Sequence, residues 1–369
     1  MPMNKRRKGG GRTIRMQAIL ATICLLVGCS TVPWGRIDLS RRQFRSLAAL
    51  SMDPAGFGLE VSTNKHDFLE LRGFYKFEPD FTANGSFLEV SPRAGPLPIL
   101  EVAINGHLVP ALIDTGSSMS LAGMTTVLAG GIIPLGQPMI SFQTLTFSGT
   151  RRAVLGLAES VEFGGNPTRR VPFTILNRIP GLPYGPFNAV GKTDVLLGED
   201  LLRRFGSVTL SYLTRTYSLQ ADPIDEGQDD RTVHASANLR RREMGVSVFD
   251  ARINGQAEVQ VAFDSGGSFG LWVPEQLAKE LSLPELDVPP LFHGALRSSL
   301  PARFRPVAEG TMQVDGFTIA NLSCYVGSID GGKRNPDFVL LGNEVLKLYD
   351  VRLNDFGNRI EFLKPLTLP

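Results

Sequence analysis

Two aspartates stand where carboxylates can do chemistry. Asp114 ends the apolar run Ala111-Leu112-Ile113 and is followed by Thr115-Gly116-Ser117-Ser118. Asp264 ends Val261-Ala262-Phe263 and is followed by Ser265-Gly266-Gly267-Ser268, 264 − 114 = 150 positions later. Two acids in equivalent places of a repeated unit would meet across a pseudo-two-fold axis. Like charges a few ångströms apart cannot both ionise, so such a pair holds one proton. The ionised member would take a proton from a bound water while the protonated member polarises a carbonyl. That is general acid–base hydrolysis with neither metal nor covalent intermediate, and the pair titrates as a unit.

The surrounding elements also come in duplicate. Ile104-Asn105-Gly106 precedes the first aspartate and Ile253-Asn254-Gly255 the second. Asn-Gly between apolar runs predicts a tight hairpin, because both central positions need positive φ. Downstream, Val195-Leu196-Leu197-Gly198-Glu199-Asp200 answers Val339-Leu340-Leu341-Gly342-Asn343-Glu344. Each glycine is expected to open a short helix whose first-turn acids suit the helix dipole. A strand pair then closes each copy, at 207–212 with 216–219 and at 351–354 with 359–363. Four landmarks repeated in order predict two similar lobes. Period-2 stretches at 139–147, 157–163, 171–176, 311–314, 317–319 and 322–326 make both lobes all-β, with a further helix over 274–281.

Asp-Thr/Ser-Gly on an apolar strand, followed by Leu-Leu-Gly, resembles the aspartic proteases. The landmark spacings, 198 − 114 = 84 and 342 − 264 = 78, resemble the retropepsin-like branch fused in tandem. The resemblance implies a bilobal acid-protease fold, two β-barrel-like lobes with the active site at their interface. It also implies an endopeptidase acting on extended polypeptides, with Asp114 and Asp264 catalytic and no cofactor. A module that binds extended peptides without cutting them is the alternative. In the family the hydroxyl after each aspartate bonds across the two-fold, which places Thr115 and Ser265 there. Gly116 and Gly266 would let the backbone approach the carboxylates. Ser117, facing Gly267 in the second copy, would donate to Asp114 and make Asp114 the resting anion, with the proton on Asp264. A flap hairpin is expected at Phe147-Ser148-Gly149-Thr150, with a weaker candidate at 291–295; the tyrosine of pepsin-like flaps is missing there. With both lobes in one chain, a monomer suffices for a complete site.

The formal charge of +2 hides an asymmetry. Lys5, Arg6, Arg7, Lys8, Arg12 and Arg15 lie in residues 1–28 with no acid, leaving 2 − 6 = −4 for the rest, so no nucleic-acid surface is indicated. Those cations precede an apolar run at 16–28 too short to span a bilayer. Gly28-Cys29 ends it, and the whole resembles a bacterial lipoprotein signal with Cys29 lipidated. Ser30 after the cysteine resembles outer-membrane sorting, hence a periplasm-facing, membrane-anchored protein. Residues 29–94 read as a tether or a basic inhibitory prosegment, 95–221 as lobe 1, 222–235 as an exposed acidic linker and 236–369 as lobe 2. A strand is expected at 86–90.

Other constellations are weaker. Gly266-Gly267-Ser268-Phe269-Gly270 matches the nucleophile-elbow pattern, but that pattern needs a strand–elbow–helix. His66, His107, His234 and His293 are scattered without metal-ligand spacing. Cys324 reads as a buried, inert thiol in a strand, and Trp272 as core.

Overall fold

A computed structural model of the chain describes residues 60–63, 69–72, 79–88, 97–135, 140–143, 150–176, 194–225, 227, 231–242, 245–256, 258–267, 269–283, 303–328 and 337–365. The expected signal peptide at 1–28, Cys29, most of the expected tether, His66, His293 and the second flap candidate at 291–295 lie outside them.

Two closed six-stranded barrels form the lobes. In lobe 1 the order round the barrel is Ile99–Ile104, His107–Ile113, Val195–Leu197, Leu121–Gly123, Asn166–Leu176 and Thr150–Phe163. In lobe 2 it is Ser247–Ile253, Glu258–Asp264, Val339–Gly342, Leu271–Pro274, Phe317–Ser328 and Arg303–Val314. The senses match strand for strand. Each aspartate-bearing strand is antiparallel to its hairpin partner and parallel to the Leu-Leu strand. Closure removes exposed strand edges and buries both inner faces.

Both hairpins form as their sequences require. Asn105 and Gly106 have φ of 50° and 82°, and Asn254 and Gly255 have 51° and 69°. The asparagine side chains then tie the turns to the barrel wall: Asn105 Oδ1 accepts Ser160 N–H at 2.9 Å and Asn254 Oδ1 accepts Thr311 N–H at 2.7 Å.

A third, antiparallel sheet of six strands joins the lobes. Lobe 1 supplies Ala83–Ser86, Thr216–Gln220 and Ser207–Ser211; lobe 2 supplies Asp350–Asn354, Arg359–Leu363 and Val233–Asn238. Its central pairing crosses the lobes, with Val208 opposite Leu353 and Leu210 opposite Val351. Sequence reading differs here in three places. The strand expected at 86–90 lies at Ala83–Ser86, and Phe87 behind it packs edge-on against Tyr212. Residues 83–86 are therefore a structural strand of lobe 1 rather than tether. The stretch read as an exposed linker ends in strand Val233–Asn238, and Ile224 within it is buried. The Asn354 side chain pairs with both the N–H and the C=O of Ile224, at 2.9 and 2.7 Å.

The helices are short: Met124–Ala129, Glu199–Leu202, Glu275–Glu280 and a 3-10 turn at Asn343–Lys347. Met124–Ala129 carries no side-chain cap and no charge at either end, and only Gly130-Gly131 behind it marks a boundary in sequence. Trp272 is buried with Val246, Val248, Ala262, Phe338 and Leu340.

Candidate active site

The parallel pairing of each aspartate strand with its Leu-Leu strand brings Asp114 and Asp264 to the lobe interface. Asp114 N–H donates to Leu197 O at 3.0 Å, and Asp264 stands opposite Gly342. Both side chains fold back onto their own loops. Asp114 Oδ1 accepts Gly116 N–H at 3.0 Å and Asp264 Oδ1 accepts Gly266 N–H at 3.0 Å. The two carboxyls are hydrogen-bonded to each other.

Four crossed hydrogen bonds lock the strands beneath them. Thr115 Oγ1 donates to Phe263 O at 2.7 Å and accepts Ser265 N–H at 3.0 Å. Ser265 Oγ donates to Ile113 O at 2.8 Å and accepts Thr115 N–H at 3.1 Å. Thr115 and Ser265 are 3% and 0% exposed, so each hydroxyl satisfies groups that water cannot reach. A Cβ on Gly116 would stand 2.7 Å from Asp264 Cγ, and one on Gly266 2.9 Å from Asp114 Cγ. Only glycine lets the loops interleave this closely.

Burial raises both carboxyls above the usual carboxylate range. Asp264 is pushed up to about 6. Asp114 goes further, because the charge on Asp264 and the hydrogen bond between the two favour a proton on Asp114. The pair titrates as a unit. The Ser117 hydroxyl does not bias it, because Ser117 Oγ donates to Met119 O at 2.7 Å rather than to Asp114. In lobe 2 the corresponding space is filled by the Phe269 ring, whose Cε1 would lie 2.5 Å from a Cβ on Gly267.

The Leu-Leu-Gly segments hold the dyad loops from below. Glu199 N–H donates to Ser117 O at 2.8 Å, and Asn343 N–H to Gly267 O at 2.7 Å. The acids after Gly198 do more than suit a helix dipole. Glu199 is buried against Ser247 of lobe 2, and Asp200 Oδ1 accepts both Ser120 N–H and Ser120 Oγ–H, at 2.8 and 2.7 Å. Tyr212, also missed from sequence, is buried beside Asn343 and near Asp264. The one available signal was the repeat itself: Leu-Leu-Gly-Glu against Leu-Leu-Gly-Asn marks a position where the lobes diverge.

The remaining sequence candidates fall as follows. Strands Ile140–Gln143 and Thr150–Phe163 pair antiparallel, Gln143 opposite Thr150. Thr150 opens the second strand; Phe147, Ser148 and Gly149 lie outside the described residues. Gly270 runs into strand Leu271–Pro274 rather than a helix, so the Gly-x-Ser-x-Gly match is no nucleophile elbow. Cys324 is buried and its thiol is pushed up to about 12 by burial, leaving it unreactive. His234 stacks on Phe317. Among the described residues, no group of three or more His, Cys, Asp and Glu could hold a metal ion.

Two closed barrels meeting at a pair of coupled aspartates define the bilobal, all-β acid-protease fold. The family model described as "Aspartyl protease" matches residues 100–201 and again 249–345, one match per lobe. The chain belongs to the aspartyl protease family. No curated protein matches it.

Proposed function

We propose that the protein is an aspartic endopeptidase that hydrolyses extended polypeptides with a water activated between Asp114 and Asp264. The carrying observation is the reciprocal lock of Thr115 and Ser265 under two carboxyls that share a proton. The ionised member takes a proton from the attacking water while the protonated member donates to the substrate carbonyl, giving a gem-diol. As the C–N bond breaks, the first passes its proton to the departing amine and the second takes one back from a gem-diol hydroxyl. Both aspartates lie in one chain, so a monomer carries the whole site. Residues 1–29, with a basic start, a short apolar run and Gly28-Cys29, support a lipid anchor on Cys29 and a periplasm-facing position at the outer membrane.

The test uses the soluble chain from Ser30 onward and its Asp264→Asn variant, each incubated with a diverse peptide mixture from pH 4 to 8 and read by mass spectrometry. Cleavage by the first and a loss of at least ~10²-fold in the second is the expected result. Peptide binding without cleavage at any pH refutes the catalytic reading.

A further inference from the structure

Residues 240–242 are consecutive arginines, and the fold separates them. Strand Arg240–Arg241 pairs with Ser247–Ile253, Arg240 opposite Val248 and Arg241 opposite Ser247. The Arg242 N–H extends the ladder by donating to Val246 O at 2.9 Å. Alternation along an extended chain sends Arg240 and Arg242 to one face and Arg241 to the other. On the first face the charges are matched within lobe 2. Arg240 pairs with Asp250, while Arg242 reaches Asp337 Oδ2 at 2.8 Å, bonds Gln260 and lies over the Phe338 ring.

Arg241 shares the face of Ser247, which looks across the interface to lobe 1. Ser247 N–H and Oγ–H donate to Glu199 Oε1 and Oε2 at 3.3 and 2.9 Å, so that carboxyl already has its donors. Arg241 is near enough to favour the Glu199 anion but forms no ion pair with it. The Arg241 side chain is exposed, and among the described residues its one hydrogen bond runs from Nε to Gly245 O at 3.3 Å.

The bend after Arg242 lays this arm against the Asp114 loop. Gly245 has a φ of 79°, and a Cβ on it would lie 2.8 Å from Ser118 Cβ and 3.4 Å from Arg241 Nη2. Arg241 Nη2 therefore stands no more than 2.8 + 3.4 = 6.2 Å from Ser118 Cβ. Ser118 lies four residues past Asp114, on the open part of the loop. Residues Gly116 to Met119 are half-buried, whereas Thr115 beneath them and Ser120 beyond are buried. The Thr115–Ser265 lock fills the underside, so a polypeptide whose carbonyl reaches the dyad approaches over the open side.

We propose that Arg241 is a specificity-determining residue, and that the cleft prefers polypeptides with an aspartate or glutamate close to the scissile bond on the Asp114 side. The arm belongs to lobe 2 yet delivers its cation to the loop of lobe 1, which fixes the charge where the lobes meet. An acidic side chain there finds guanidinium donors that no carboxylate of the described chain occupies. A basic side chain meets a like charge, which adds rejection to attraction.

This inference rests on the reading of the dyad as a peptide-cleaving site, and the experiment separates the two. The full-length chain and its Arg241→Gln, Arg241→Lys and Arg241→Glu variants are given peptides that differ only in Glu, Gln or Lys at one flanking position at a time. Cleavage is read by mass spectrometry as kcat/KM. Binding of the same peptides is read by fluorescence anisotropy in the Asp264→Asn background. At one flanking position wild type should favour Glu over Gln by about three- to fivefold, less at high salt, as for a partly exposed ion pair. Arg241→Gln should erase that preference, Arg241→Lys should keep part of it, and Arg241→Glu should turn it toward Lys. No Glu preference in wild type overturns the proposal, as does a preference that survives Arg241→Gln. Equal losses on all three peptides also overturn it, since they would make Arg241 a support for Glu199 alone. A charge preference in binding that follows Arg241, in protein that cuts nothing, supports the assignment and refutes the catalytic reading.

Discussion

Beneath the dyad the two lobes use identical backbone contacts with different side chains. Lobe 1 places Ser117 and Met119 where lobe 2 places Gly267 and Phe269, and Glu199 where lobe 2 has Asn343. The hydrogen bonds that hold the loops are the same in both, Glu199 N–H to Ser117 O and Asn343 N–H to Gly267 O. The difference is in how space and charge are filled. A small hydroxyl turned to its own chain in lobe 1 is replaced by an aromatic ring in lobe 2, and a buried acid is replaced by an amide. Backbone geometry is thus the shared requirement, and the side chains behind it are free to diverge. Two identical carboxyls consequently sit in non-identical surroundings, which is what separates an acid from a base.

Breaking the shared geometry should cost most. Gly116→Ala and Gly266→Ala each place a methyl within 3 Å of the opposite carboxyl, and both should lower kcat/KM by ~10²-fold or more in a peptide-cleavage assay. The near-equal clearances predict near-equal losses.

Removing one hydroxyl of the lock should come next. Thr115→Ala strands Phe263 O and Ser265 N–H; Ser265→Ala strands Ile113 O and Thr115 N–H. Each should destabilise by ~2–4 kcal/mol in urea unfolding, with the double variant less than additive.

Exchanging the divergent parts sharpens the comparison. Gly267→Ser drives a side chain into the Phe269 ring and should cost ~1–3 kcal/mol. Adding Phe269→Met, the lobe 1 solution, should recover most of that loss. A variant pair that shows no recovery would mean that the ring is not what requires glycine.

Ser117→Ala should have the smallest effect, ~1 kcal/mol or less in stability. Because its hydroxyl bonds Met119 O, the acid limb of the activity profile should stay where the dyad puts it, near pH 6. Activity should fall as pH drops through that value, since the base becomes protonated. A limb displaced by this substitution would restore Ser117 as a donor to Asp114.

The repeat made the fold and the dyad legible, because a motif is far more informative when its neighbours repeat with it. Asn105-Gly106 and Asn254-Gly255 specify their turns through local φ alone, and the aspartate loops follow. What sequence hid were the choices made by tertiary contact. Ser117 had three acceptors within reach of a short side chain, and nothing local decided among Asp114, Met119 O and solvent. Glu199 and Asp200 look like ordinary first-turn acids, and only the opposite lobe and Ser120 reveal Glu199 as buried and Asp200 as a half-buried acceptor. Helix Met124–Ala129 is written in β-branched and apolar residues without charges or side-chain caps, whereas its lobe 2 counterpart Glu275–Glu280 carries Glu275 and Lys279 at the ends and is readable.

The interlobe sheet makes the covalent connection between lobes nearly redundant. Its central strands, Ser207–Ser211 and Asp350–Asn354, pair across the lobes, and the lock under the dyad crosses them again. The peptide between Ile224 and Thr232 therefore serves chiefly to raise the effective concentration of one half around the other. Severed there, the two halves retain the full set of contacts that recognise each other. Co-expressed as separate chains, they should reassemble into a heterodimer, giving a protein whose site exists only when both pieces are present.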